Sequence, residues 1–137
     1  MWHSSIVGQS KLMQSMLQSV VSDTLSHAII IEGVSGLGGL PMALSLAERL
    51  LCSAEVKEFK PCGECKSCVQ TQKLIHPDLH LAFPVVKKDG IERKNTTSKN
   101  FIGEWRAKVL ENPYITYNEW IRDIAKKSAN GDINVKE

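Results

Sequence analysis

His27-Ala28-Ile29-Ile30-Ile31-Glu32-Gly33-Val34-Ser35-Gly36-Leu37-Gly38-Gly39-Leu40 is the stretch on which the reading of the fold turns. Its first five residues are a short apolar run rich in β-branched side chains, which predicts a strand buried on both faces. A glycine-rich loop follows directly. Leu40, Ala43, Leu44, Ala47, Leu50 and Leu51 then recur at helical spacing. Pro41 falls in the first turn of that helix, where a missing N–H costs little. Strand, glycine loop and helix make half of a βαβ unit, so the predicted class is α/β with a parallel sheet flanked by helices.

The phosphate-binding P-loop pattern is Gly, four residues, Gly, Lys, then Ser or Thr. Gly33 and Gly38 occupy its two glycine places, and Gly36 adds a further glycine. Gly39 stands where the lysine belongs and Leu40 where the hydroxyl belongs. The lysine neutralises the β- and γ-phosphates, and the hydroxyl ligates Mg²⁺. A hydrogen bond to a charged group contributes ~1.5–3 kcal/mol. Loss of the lysine alone therefore predicts nucleotide binding weaker by about 10- to 150-fold. Gly33, Gly36, Gly38 and Gly39 are left with weak anion binding at most, through backbone N–H groups and the helix N-terminus. ATP is not expected as a cofactor and no ATPase activity is expected. The bland alternative is a tight strand-to-helix turn with no ligand.

Downstream of the helix, Cys62-Gly63-Glu64-Cys65-Lys66-Ser67-Cys68 sets three thiols at two-residue gaps, and Cys52 adds a fourth from the preceding helix end. Four thiolates close a tetrahedral structural Zn²⁺ site, with no open position for catalysis. An iron–sulfur cluster is the rival. The bacterial ferredoxin run would place its next cysteine, followed by proline, where this chain has Gln72 and Lys73. Disulfides are the second rival, and His76 and His80 are alternative ligands that four cysteines make unnecessary.

Elsewhere, Ser10 is a predicted cap for a helix with Leu12, Met13, Met16, Leu17 and Val20 on one side. Residues 78–86 alternate Leu79, Leu81 and Phe83 before Pro84, a second predicted strand. Residues from about 87 to 99 read as a polar, mobile loop insertion. Phe101, Ile102, Trp105, Val109 and Leu110 mark a helix that ends near Asn112-Pro113. Thr116 with Glu119 is a capping-box pattern opening a last helix that buries Trp120, Ile121 and Ile124. The tryptophans read as core anchors, not base-stacking platforms.

The 137 residues are 42% hydrophobic and carry a net charge of +2. That suffices for a core and gives no case for strong nucleic-acid binding by charge alone. No apolar run is long enough to span a bilayer, and Met1-Trp2-His3-Ser4-Ser5 does not open like a signal peptide. The expected location is the cytoplasm, without membrane partners.

Taken together these motifs carry a resemblance. Ile6-Val7-Gly8-Gln9, Ser26-His27-Ala28 leading into the glycine loop, the four cysteines and His76-Pro77-Asp78-Leu79 resemble the N-terminal part of the delta-prime family of bacterial DNA polymerase III clamp-loader subunits, in the AAA+ superfamily. Trp105 and the Asn112-Pro113 break fit the version with a longer insertion. The resemblance implies structural zinc on Cys52, Cys62, Cys65 and Cys68, and places Gly8 and Gln9 near the adenine site of nucleotide-binding relatives. A sister motor subunit carries the same zinc module with an intact P-loop, so Gly39 and Leu40 favour the non-catalytic delta-prime type. It further implies work inside the polymerase III holoenzyme, with motor and delta subunits as partners and with the sliding clamp and primed DNA reached through the complex. Against that family's pattern, these 137 residues are expected to lack an apolar strand ending in paired acids, the arginine-finger segment and the lid and collar domains. The expectation is therefore an N-terminal part of an AAA+ domain over 1–137, with a zinc module at about 52–68, whose open sheet edge invites self-association. An ATP-binding motor-type subunit and an isolated zinc module that binds nucleic acid are the competing functions.

Overall fold

The first long helix, α1, spans Ser10–Val21 and turns Met13 and Leu17 inward. The computed structural model describes residues 2–54, 59–87, 90–92 and 95–125. Gln9, not Ser10, is the N-cap of α1, and no side chain caps it. The helix closes with Thr24 N–H donating to Ser19 C=O at 3.0 Å and Asp23 N–H to Val20 C=O at 3.4 Å. Asp23 holds φ +54° there, the left-handed residue such a C-terminal motif needs.

Helix α2 spans Gly39–Leu51 and begins on Gly38, whose φ of +93° suits glycine. Met42 and Leu46 pack against Met13 and Leu17 of α1, and Ile6, Met16, Val20, Leu25, Ile31 and Phe59 extend that cluster. Each such side chain contributes roughly 1.5–3 kcal/mol when fully buried. The apolar face read from the sequence is only partly the buried one. Leu44 is buried, but Ala43 and Leu50 are exposed, as is Leu12 of α1. Ser45, Glu48 and Arg49 are buried instead. The reason is that α2 is covered on several sides at once, by α1, by α3 (Lys66–Gln72) and by a 3-10 helix at Trp2–Ser5.

Helix α3 was not legible as an apolar pattern. It ends as α1 does: Ile75 N–H donates to Gln70 C=O at 2.9 Å and Leu74 N–H to Thr71 C=O at 3.0 Å. Leu74 takes φ +56°, a conformation that costs a non-glycine residue ~1–2 kcal/mol. Its side chain is 1% exposed, and that burial offsets the cost.

The parallel sheet expected from the sequence is not formed by the described residues. Residues 27–31 carry no strand, and 78–86 hold only an isolated bridge residue at Val85. A strand needs a neighbour to receive its N–H and C=O groups, and none is present among the described residues. Ile30 is 92% exposed, the opposite of a strand covered on both faces.

The chain divides into two compact units, Met1–Leu79 and His80–Glu137. The second has its own core of Phe83, Val85, Val86, Phe101, Trp120 and Ile121. Helix α5 (Tyr117–Ile124) supplies Trp120 and Ile121, and helix α4 (Ile102–Glu111) packs the partly buried Ile102 and Trp105 against them. The Phe83 and Trp105 rings stack at 4.3 Å, and Trp120 meets both edge-on at 5.5 and 5.0 Å. Such pairs add about 0.5–1.5 kcal/mol each beyond area burial. The Trp120 indole N–H donates to Pro84 C=O at 2.7 Å. The Thr116–Glu119 capping box forms as the sequence predicts.

The end of the predicted loop has local structure of its own. A second 3-10 helix occupies Ser98–Phe101, capped by a Thr97–Asn100 capping box. The buried Ser98 hydroxyl receives Phe83 N–H at 2.9 Å and donates to Phe83 C=O at 3.0 Å. One side chain thus satisfies both backbone groups that a partner strand would have taken. Residues 88, 89, 93 and 94 of the same loop lie outside the described residues.

Candidate metal centre

The four cysteines come together. Their sulfurs all lie within 4.8 Å of one another. Cys52 terminates α2 with extended backbone. Cys65 is the N-cap of α3, and its Sγ accepts the N–H of Cys68. Between them the chain turns at Gly63, which holds φ +78°.

Backbone donors run from each ligand candidate to the next. Cys62 N–H points to Cys52 Sγ at 3.5 Å, Cys65 N–H to Cys62 Sγ at 3.4 Å, and Cys68 N–H to Cys65 Sγ at 3.4 Å. Donors aimed at sulfur favour the thiolate form that metals require. The Cys65 thiol is lowered to about 5, first by the Ser53 hydroxyl and then by N–H groups of Cys68 and Ser53. At Cys52 burial opposes ionisation, yet the backbone of Cys62 and Ala54 prevails and lowers it. Burial raises the Cys68 thiol, the direction a nearby cation would oppose.

A tetrahedron built on Zn–S bonds of ~2.3 Å has edges of about 3.8 Å. Cys52 and Cys62 stand 3.6 Å apart, and Cys62 and Cys68 3.9 Å. These two edges match those of one tetrahedral ion, and all four cysteines are free of disulfides. The histidine alternatives fall away from the cluster. His76 Nδ1 accepts the N–H of Asp78 at 3.2 Å, and neither His76 nor His80 joins the metal-capable group.

A polar network stands behind the cluster that sequence reading missed. Glu48, fully buried, accepts the Trp2 backbone N–H on Oε2 at 3.0 Å. Its Oε1 accepts the Gln72 amide N–H at 2.7 Å, and the same amide reaches Gly63 C=O at 3.3 Å. The Trp2 indole N–H donates to Thr71 C=O at 3.2 Å. Spacing carried a signal: Glu48 precedes Cys52 by four residues, and Gln72 follows Cys68 by four.

The glycine loop forms a separate open cavity of about 370 Å³. Gly33, Gly36 and Gly39 line it with Gln9, Leu12, Ile31 and Leu40, while Gly38 lies at the N-cap of α2. Gly36 holds φ +84°, and Leu37 N–H closes a turn on Val34 C=O at 3.1 Å. Among the described residues Glu32 is the one charged residue on the lining. A carboxylate there repels phosphate.

A glycine loop that starts a helix, and a four-cysteine cluster at that helix's far end able to hold a metal ion, define a protein with a P-loop-like turn and a metal-capable knuckle. The chain belongs to the family described as DNA polymerase III, delta subunit, whose family model matches residues 8–124. It is 38% identical over 86 residues to the DNA polymerase III subunit delta' of Bacillus subtilis (strain 168), covering 63% of this chain and 24% of that protein. It is 41% identical over 63 residues to the delta' subunit of Haemophilus influenzae, covering 46% and 19%. It is also 32% identical over 93 residues to Protein STICHEL-like 1 of Arabidopsis thaliana, covering 68% and 8%. The chain thus spans about a quarter or less of these relatives. No solved structure matches it. No helix among the described residues is long and apolar enough to cross a membrane.

Proposed function

We propose that this chain is the glycine-loop and zinc-knuckle part of a non-catalytic clamp-loader subunit of DNA polymerase III, which helps place the sliding clamp on primed DNA. The observation that carries this reading is the loop itself. Gly39 and Leu40 replace the lysine and hydroxyl of a working P-loop, and the adjoining cavity is lined by the acidic Glu32, an unfavourable neighbour for phosphate. The subunit contributes shape and contacts to a complex whose motor and delta subunits are its partners; ATP turnover belongs to the motor subunits.

In this reading Cys52, Cys62, Cys65 and Cys68 hold one structural Zn²⁺. Zinc would supply a fixed tetrahedral crosslink there, and donors to the Cys52 and Cys65 sulfurs favour their thiolate forms.

The test is a titration with fluorescent ATP and Mg²⁺, with phosphate release measured in parallel. The expected result is no saturation in the micromolar range and no turnover. Micromolar binding, or turnover abolished by changes in the glycine loop, would sink the proposal in favour of a motor-type ATPase. Salt-dependent DNA binding by the chain alone would favour a nucleic-acid-binding zinc module instead.

A further inference from the structure

We propose that Glu48 and Gln72 are positioning residues for the metal knuckle, acting through the Gly63 carbonyl. This rests on the reading of the four cysteines as a metal site.

The metal ligands come from three pieces of backbone: the end of α2, the turn at 62–65 and the first turn of α3. Within the knuckle itself those pieces are linked by N–H···S contacts of 3.4–3.5 Å, weak ties that leave their mutual orientation soft before a metal arrives. The Gln72 amide is the joint. It donates to Glu48 on α2 at 2.7 Å and to Gly63 in the turn at 3.3 Å, while itself belonging to α3. One side chain therefore ties together all three ligand-bearing segments.

The register follows from helix geometry. Residues four apart share a helix face. Glu48 thus lies on the side of α2 that leads to Cys52, and Gln72 on the side of α3 that carries Cys68. Glu48 is 0% exposed. A carboxylate buried this deeply is costly unless its oxygens are hydrogen-bonded, and here Oε2 accepts from Trp2 N–H and Oε1 from Gln72 Nε2. An apolar pair at these positions would remove that desolvation cost. It would also cut the link to Gly63. The network is placed where geometry at the sulfurs, more than bulk stability, is at stake. Partners behind metal ligands change affinity by ~10–100-fold when removed.

The experiment measures Zn²⁺ affinity of the full chain by chelator competition. Co²⁺ absorption reports ligand geometry, and far-UV circular dichroism of the metal-free protein reports folding. Wild type is measured first: no metal binding there would remove the metal reading itself. Gln72→Ala is expected to weaken affinity by about 10–100-fold, with an altered Co²⁺ spectrum and wild-type helix content without metal. Affinity within threefold of wild type would overturn the inference. So would a loss that merely follows a loss of helix in the metal-free form.

A second variant separates positioning from plain core stability. E48Q combined with Q72E reverses the polarity of the pair, restoring its mutual hydrogen bond but leaving no donor for Gly63 C=O. It is expected to regain unfolding midpoint while staying as weak in metal binding as Gln72→Ala. Recovery of wild-type affinity would show that the Gly63 link is irrelevant. If Gln72→Ala does not fold, this double variant decides the question alone.

Discussion

Replacing Gly39 with lysine restores the one charge a working phosphate loop cannot lack, and the structure says the substitution fits. A Cβ at Gly39 would meet only Ile31 Cγ2, at 3.6 Å, an ordinary contact. Gly39 is the first residue of α2 and does not need left-handed backbone. Leaving glycine in a helix gains up to ~1 kcal/mol, and a cation in the first helical turn costs about 0.3–1 kcal/mol. Stability should therefore stay nearly level. Binding should not: a charged hydrogen bond to phosphate adds ~1.5–3 kcal/mol, or about 10- to 150-fold in affinity. Glu32 shares the cavity and will take part of that charge, so Gly39→Lys with Glu32→Gln should bind more tightly than Gly39→Lys alone. The assay is fluorescent ATP titration at fixed Mg²⁺, with inorganic phosphate as competitor. A change below threefold in both variants would refute the reasoning, because the loop would then not be a phosphate cradle at all. Micromolar binding by the wild type would refute it from the other side.

Other outcomes follow from the two units separately. Cys65→Ser should abolish metal binding, read by elemental analysis against about one ion per wild-type chain, and loosen residues around the knuckle to proteolysis. Trp120→Phe removes the 2.7 Å donor to Pro84 C=O and should lower the urea-unfolding free energy by about 1–3 kcal/mol; an effect under 0.5 kcal/mol would contradict the assignment. Ser98→Ala strips partners from both Phe83 N–H and C=O, and the same measurement should show a loss of about 1–3 kcal/mol. Glu119 is held below the ordinary carboxylate range, first by the Thr116 N–H and then by its hydroxyl. Its contribution is thus present above that range and lost as pH falls through its lowered value. The Tm difference between wild type and Glu119→Gln should shrink on acidification, and a difference that grows would reverse the sign of the argument.

Local chemistry was legible before any coordinates. Cys62, Cys65 and Cys68 announce a metal site because ligand spacing in a tight turn is a property of a few consecutive residues. Thr116 with Glu119 announces a helix start for the same reason, since both partners lie within one turn. Gly39 and Leu40 declare the missing P-loop chemistry by position alone. Helix existence was also readable, although the face was not. Leu12 and Leu50 fit an apolar stripe yet are exposed, while Ser45, Glu48 and Arg49 do not fit it and are buried. Ser45 Oγ and Arg49 Nε and Nη2 have no hydrogen-bond partner among the described residues, an arrangement that no sequence pattern announces.

The division has a physical cause. The sequence by itself determined what depends on neighbours along the chain: the cysteine knuckle, the caps, the degenerate glycine loop and the family to which these point. Tertiary structure decided what depends on which segments meet. It set Glu48 and Gln72 behind the cysteines, because α2 and α3 pack together there. It gave Ser98 the role of a strand partner for Phe83. And it left residues 27–31 without a ladder, because a strand's hydrogen bonds belong to its neighbours and cannot be supplied from within its own sequence.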